Sequence, residues 1–575
     1  MTAFRVWAPH AGRVEVEAGG RRTLMEADGD RGWRWAEVGD AGPGDDYRFV
    51  VDGDAVVDPR SPWQPHGVHG PSRLVDHGAF AWTDQGWRGF HLPSAVLYEL
   101  HVGTFTPEGT FDGVITRLDH LVDLGVDAVE LMPVNGFPGT GGWGYDGVDL
   151  FAPHHPYGGP DGLKRLVDAC HGRGLAVVLD VVYNHLGPAG NYLARFGPYF
   201  TDRYATPWGD AVNLDGPGSD EVRAFLVDNA LSWLRDYHFD GLRLDAVHGL
   251  VDASATHFLE QLGGAVGGLA AALGRPLFLI AESDLNDPRI VRPTDQGGYG
   301  MDAQWSDDFH HALHAVLTGE RGGYYADFGA MGDVATALQQ GFVYGGRHSI
   351  HRGRVHGRLD PAMPGSRLLG YLQTHDQVGN RARGERIGAL TSPGRLRVGA
   401  ALVLTAPFVP LLFAGEEWAA STPFPYFTDH DDPDLAGAVR AGRRSEFAAF
   451  GWDPDDIPDP QAPGTLAAAR LDWDEVTRAP HADLLDWYCR LIALRRATPA
   501  LRDGRLDVVV TRHDDRARWL VMERGPVTVA ANLGWAPARL EVDGELVLAS
   551  DDVACPSDGE GVVTLAPDTV AVLIR

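Results

Sequence analysis

Apolar and polar positions alternate with two different periods along this chain, and the change of period divides it. From Met1 to about Gly89, short alternating runs, Phe4 to Trp7, Val14 to Glu17 and Tyr47 to Asp52, are broken by Gly and Asp. A period of two buries one face of a strand and leaves the other in water, so these runs predict an immunoglobulin-like antiparallel β-sandwich over residues 1–90. From about Pro93, continuous apolar runs alternate with amphipathic segments, the pattern of parallel βα units. Eight runs follow in order: Val96 to His101, Ala128 to Val134, Ala176 to Val182, Gly241 to Ala246, Leu277 to Glu282, Asp302 to Asp307, Leu368 to Thr374 and Val409 to Ala414. The sixth is the most polar. Between them Leu163, Leu166 and Val167 share a face at helical spacing, as do Val222, Phe225, Leu226, Trp233 and Leu234. The expected fold is α/β, a (β/α)8 TIM barrel over residues 91–498 with long loop insertions, flanked by the N-terminal sandwich and a second one.

Trp418 to Trp473 shows little periodicity and contains Asp453-Pro-Asp-Asp-Ile-Pro-Asp-Pro. It is expected as a long loop region over the barrel mouth, where loops shape substrate access. After an amphipathic segment at Leu484 to Arg495, alternation returns in Trp519 to Met522, Val527 to Asn532 and Val570 to Ile574, which predicts a C-terminal β-sandwich over residues 499–575.

Charge narrows the class of partner. With 49 Lys and Arg against 79 Asp and Glu, the formal charge is -30, which opposes binding to nucleic acid or anionic lipid. Cys170, Cys489 and Cys555 are isolated, which argues against a disulfide framework or zinc site and fits a reducing cytoplasm. No apolar stretch is long enough for a membrane helix, and the N-terminus lacks the basic and apolar segments of a signal peptide.

Candidate chemistry lies in three carboxylates at the ends of predicted strands: Asp245 in Gly-Leu-Arg-Leu-Asp, Glu282 in Leu-Phe-Leu-Ile-Ala-Glu-Ser and Asp376 in Tyr-Leu-Gln-Thr-His-Asp. A parallel barrel gathers its catalytic groups there. Cleaving a glycosidic bond takes one carboxylic acid to protonate the leaving oxygen and a second carboxylate across the sugar. Asp245 and Glu282 fall on neighbouring strands, the fourth and fifth, a closeness that favours retention of configuration. Arg243, two residues before Asp245, points the same way in an extended strand and would hold that acid ionised. Glu282, shielded by apolar neighbours, would keep its proton. Asp376, beside His375, could bind sugar hydroxyls and favour the oxocarbenium-like transition state.

Asp180-Val-Val-Tyr-Asn-His185, Gly241-Leu-Arg-Leu-Asp245, Glu282 and His375-Asp376 resemble the four ordered motifs of the α-amylase superfamily of retaining glycoside hydrolases. The resemblance implies Asp245 as nucleophile, Glu282 as acid/base and Asp376 as transition-state stabiliser, with Arg243, His185 and His375 contacting the sugar and Tyr145 serving as its aromatic platform. Further stretches, Trp305-Ser-Asp-Asp-Phe-His-His311, His375-Asp-Gln-Val-Gly-Asn380 and Gly415-Glu-Glu-Trp-Ala-Ala-Ser-Thr-Pro423 among them, resemble the trehalose-releasing branch of that superfamily. They imply hydrolysis of the α-1,4 bond joining a maltooligosaccharide to a terminal trehalose, and functional pairing with a maltooligosyltrehalose synthase. A glycogen branching or debranching enzyme is the alternative within the superfamily, and a non-catalytic glycan-binding barrel the alternative outside it. Asp180, Trp208, His248, Asp308, Phe309, His310, Gln377 and Trp418 complete the candidate substrate contacts, Trp208, Trp305 and Trp418 being the aromatic residues expected at the mouth. Asn184 matches a calcium-ligand position of many α-amylases, but no acidic loop supports it, so no metal and no cofactor is expected.

Overall fold

The computed structural model describes residues 1–448, 457–551 and 561–575. Cys555 and the start of the Asp453-Pro-Asp-Asp run lie outside the described residues. The N-terminal region folds into two antiparallel sheets. One orders Thr2–Trp7, Trp33–Val38 and Glu26–Asp28; the other orders Arg21–Leu24, Val14–Ala18, Asp46–Val51 and Asp54–Val56, with Ser72–Arg73 paired to Asp46–Val51. Their inward side chains, including Phe4, Val6, Val14, Val16 and Phe49, are almost fully buried. An ion pair from Arg60 to Asp228 (2.8 Å) ties this region to the barrel.

Eight parallel strands then close into a barrel: β1 (Leu97–Leu100), β2 (Ala128–Leu131), β3 (Ala176–Val181), β4 (Gly241–Leu244), β5 (Phe278–Ala281), β6 (Ala303–Trp305), β7 (Leu368–Tyr371) and β8 (Val409–Phe413). Nearly every residue of these strands is buried, because helices cover the outer face and side chains fill the inner one. The helices carry the stripes that pack on them. Ser219–Asp236 buries Val222, Phe225, Leu226, Trp233 and Leu234, and each large apolar side chain so removed from water contributes about 1.5–3 kcal/mol.

The segment between β8 and the last barrel helix (His481–Ala497) differs from the loop expected there. It contains helices at Pro433–Ala448 and Pro463–Ala468. The C-terminal region folds into a five-stranded sheet ordered Val509–Asp514, Trp519–Arg524, Val527–Asn532, Thr569–Ile574, Glu545–Ala549, and a two-stranded sheet of Ala538–Glu541 with Val562–Leu565. Arg395 binds Asp568 (2.9 Å) and joins it to the barrel. Among the described residues, no helix is long and apolar enough to cross a membrane.

Candidate active site

β4 and β5 lie side by side, and each ends one residue before an acid: Asp245 after Leu244, Glu282 after Ala281. Arg243 points into the barrel from β4, and Asp180 stands opposite it in register on β3. The Arg243 guanidinium, with only 1% of its side chain exposed, is the hub of the site. Its Nη1 donates to Asp180 Oδ1 (2.9 Å) and Oδ2 (2.8 Å) and to Asp245 Oδ1 (2.8 Å), while Nη2 lies 3.2 Å from Glu282 Oε2. The Trp305 ring lies beneath it, 4.2 Å from the guanidinium carbon, so Trp305 supports the cation from β6 rather than facing the mouth. One planar fork thus spans three carboxyls, which a lysine ammonium could not do.

The backbone past β4 completes the arrangement. Ala246 is held at φ 38°, ψ 54°, a left-handed conformation that costs a non-glycine residue roughly 1–3 kcal/mol. In that pose its N–H donates to Glu282 Oε2 (2.6 Å). Glu282 Oε2 is therefore occupied by donors, and a proton on this carboxyl belongs on Oε1. The Asn184 amide donates to Asp245 Oδ2 (3.0 Å) and to the Asp245 carbonyl (3.2 Å).

These partners separate the two acids. Burial acts to raise the Asp245 pKa, but the charge of Arg243, the neighbouring His185 and the hydrogen bond from Asn184 outweigh it and hold the group below its ordinary value. Glu282 goes the other way: burial and the negative charges of Asp245 and Asp376 raise it well above the carboxylate range despite Arg243. Asp180 is pushed up to about 6 by burial, even beside Arg243.

Asp376 comes from β7 through a short helix, His375–Gly379, in which the Thr374 hydroxyl caps the Asp376 N–H (3.2 Å). His375 is fixed on both sides. Its Nδ1 bonds the Glu99 carboxylate on β1, and its Nε2 lies 2.8 Å from the Tyr145 hydroxyl, which itself donates to Asp180 (2.6 Å). Burial disfavours the imidazolium, but Glu99 raises the His375 pKa overall, so both ring nitrogens can donate. His185 stacks on Trp208 with centroids 4.9 Å apart and planes 5° from parallel, and its Nε2 lies 3.0 Å from the Tyr145 carbonyl.

Together Tyr145, His185, Trp208, Arg243, Asp245, Glu282, His375 and Asp376 line an open cleft of about 410 Å³, within the range of small-molecule sites. Aromatic faces, fixed donors and two carboxyls of opposite protonation preference suit a neutral sugar better than an anion.

A family model described as the alpha amylase catalytic domain matches residues 71–203, and one for a domain of unknown function, DUF3459, matches residues 504–572. Over 97% of both chains the sequence is 55% identical to a malto-oligosyltrehalose trehalohydrolase of Arthrobacter ramosus, and it is 51% identical to one of Mycobacterium tuberculosis over 100% of this chain and 99% of that one. The chain belongs to the malto-oligosyltrehalose trehalohydrolase family. A solved structure from Salmonella typhimurium superposes with TM-score 0.92 at 38% identity, covering 100% of this chain and 97% of that one.

In this member of the trehalohydrolase family, several expected substrate contacts lie outside the cleft. Trp418 is fully buried, packed between His120 and Trp473, because a large apolar ring gains most from leaving water. Phe309 packs on Phe408 in the core (5.0 Å). Asp308 accepts from the Val343 and Tyr344 N–H groups (2.7 Å each) and from Asn286 (2.8 Å), anchoring a loop. His310 is buried between Tyr371 and Tyr325. Gln377 caps its own helix by accepting from Thr374. His248 is exposed and is not among the residues lining the cleft.

Other trehalohydrolase cleft residues were not singled out by sequence: Trp143, Asp146, Asn380, Tyr426, Val439 and Arg443. Glu99 was also missed, although an acid inside the apolar run Leu-Tyr-Glu-Leu is itself a signal, since a buried carboxylate needs a partner. Asn184 uses its amide nitrogen on Asp245. Among the described residues, no group of three or more His, Cys, Asp or Glu is arranged to hold a metal.

Proposed function

We propose that this protein is a retaining glycoside hydrolase that cleaves the α-1,4-glucosidic bond next to the trehalose end of maltooligosyltrehalose and releases trehalose. One observation carries the chemistry: a single guanidinium binds both Asp245 and Glu282, yet their surroundings drive the two pKa values apart. Opposed protonation of neighbouring carboxyls is the arrangement that double displacement needs. Asp245 attacks the anomeric carbon as Glu282 gives its proton to the glycosidic oxygen, and trehalose leaves from a covalent maltooligosyl-enzyme. Glu282, now ionised, takes a proton from water, the water oxygen attacks the same carbon, and Asp245 departs as carboxylate. Asp376 stabilises the oxocarbenium-like transition states, while Tyr145, His185, His375 and Trp208 hold the ring.

Family membership supports the choice of substrate. The synthase that makes maltooligosyltrehalose would then act before this enzyme, and the isolated cysteines of this chain support a cytoplasmic setting for it. The test is to offer maltotriosyltrehalose, maltopentaose and amylose separately and separate the products. Trehalose and maltotriose from the first, with poor attack on the others, is expected; equal cleavage of all three would mean a general amylase, and longer branched products a branching enzyme.

A further inference from the structure

The Pro433–Ala448 helix does more than roof the cleft. Its Val439, Gly442 and Arg443 form part of the cleft wall, and Arg443 reaches back to the helix that carries Asp376. Arg443 Nη1 donates to Asn380 Oδ1 (3.0 Å) and Nη2 to the Gly379 carbonyl (2.7 Å). The guanidinium lies over the Tyr426 ring at 4.6 Å. Asn380 in turn donates from Nδ2 to Asp376 Oδ1 (2.6 Å). Gly379 leaves room for this packing: a Cβ there would sit 1.9 Å from the Trp143 ring.

The polarity of this chain of bonds matters. An asparagine amide can turn over and exchange its oxygen and nitrogen, and the two orientations differ only in what their neighbours demand. Arg443 has donors and no acceptor, so it demands the amide oxygen and leaves the NH2 group facing Asp376. Turned over, the amide would set its oxygen against the carboxylate and lose the bond to Oδ1. With Oδ1 held by Asn380, Asp376 has Oδ2 to give to a sugar hydroxyl.

We propose that Arg443, carried by the Pro433–Ala448 helix, is a positioning residue which, by fixing the Asn380 amide, orients Asp376. The proposal rests on the function assigned above to Asp376. Misplacing a group that acts in the transition state lowers kcat more than it raises KM.

Steady-state kinetics on maltotriosyltrehalose would be measured for Arg443→Ala, Arg443→Lys, Asn380→Ala, the Arg443→Ala/Asn380→Ala double variant and Asp376→Asn. Arg443→Ala is expected to lose roughly 10- to 100-fold in kcat with KM changed little, the scale set by a small misplacement of a reacting group. Arg443→Lys, with one cationic donor restored, should recover part of it. The double variant should be no slower than Asn380→Ala alone, because both act through one bond. Losses that multiply in the double variant, a defect wholly in KM, or wild-type kcat in Arg443→Ala would overturn the proposal. Wild-type turnover in Asp376→Asn would instead overturn the function assigned to that carboxylate.

Discussion

Replacing Arg243 by methionine, which keeps much of its bulk and removes its charge, should move the whole pH profile of kcat/KM toward alkali. In the native site the guanidinium is 2.8 Å from Asp245 and 3.2 Å from Glu282, and its charge lowers both pKa values. The acid limb of the profile reports ionisation of the nucleophile and the basic limb reports loss of the acid's proton. An opposite charge this close lowers a carboxylate pKa by about 1–3 units, or roughly 1.4–4 kcal/mol. Without it, Asp245 keeps its burial and its carboxylate neighbours but only the bond from Asn184 and the neighbouring His185 in its favour. The acid limb should therefore rise by about 1–3 pH units, and the basic limb should rise with it, because Glu282 loses the cation that partly offset its burial. At a pH between the old and new acid limbs, activity falls by the corresponding roughly 10- to 1000-fold. Arg243→Lys is the control: it keeps a cation but not the planar fork, so its limbs should stay nearer those of the native protein while kcat drops. Initial rates across both limbs, with thermal unfolding to confirm that each variant folds, make the measurement. An acid limb that stays in place in Arg243→Met, or limbs that move in opposite directions, would refute the idea that this guanidinium sets the ionisation of both acids.

Three further variants of the same site have expected outcomes. Glu282→Gln should lose about 10²- to 10⁴-fold on maltotriosyltrehalose, the usual worth of general acid catalysis, yet an α-maltosyl fluoride, whose leaving group needs no proton, should give a stoichiometric burst of fluoride before slow deglycosylation. Asp245→Asn should give no burst, and a burst there would remove Asp245 as nucleophile. Trp208→Ala removes an exposed ring stacked on His185; at about 0.5–1.5 kcal/mol for such a pair, KM should rise a few-fold to about tenfold with kcat less affected, and an unchanged KM would place Trp208 outside the substrate path.

The barrel was legible because its code is local. Each strand is covered on both faces, so it appears as a short apolar run, and even the polar sixth run forms a strand, Ala303–Trp305, where its neighbours on the sheet require one. An acid directly after such a run stands out, and a two-residue spacing puts Arg243 and Asp245 on one side without any tertiary information. The candidates at Asp308, Phe309 and His310 show where that reasoning stops. They begin a helix immediately beyond β6 and turn their side chains into core and loop contacts, and motif position cannot distinguish the lip of a barrel from the layer beneath it. The Pro433–Ala448 helix was illegible for a different reason. Its inner face meets the cleft rather than the core, and of its described side chains only Ala436 is buried, so it has no apolar stripe for periodicity to find. Its described ties to the barrel include the hydrogen bonds from Arg443 to Asn380 and Gly379, which leave little pattern in sequence.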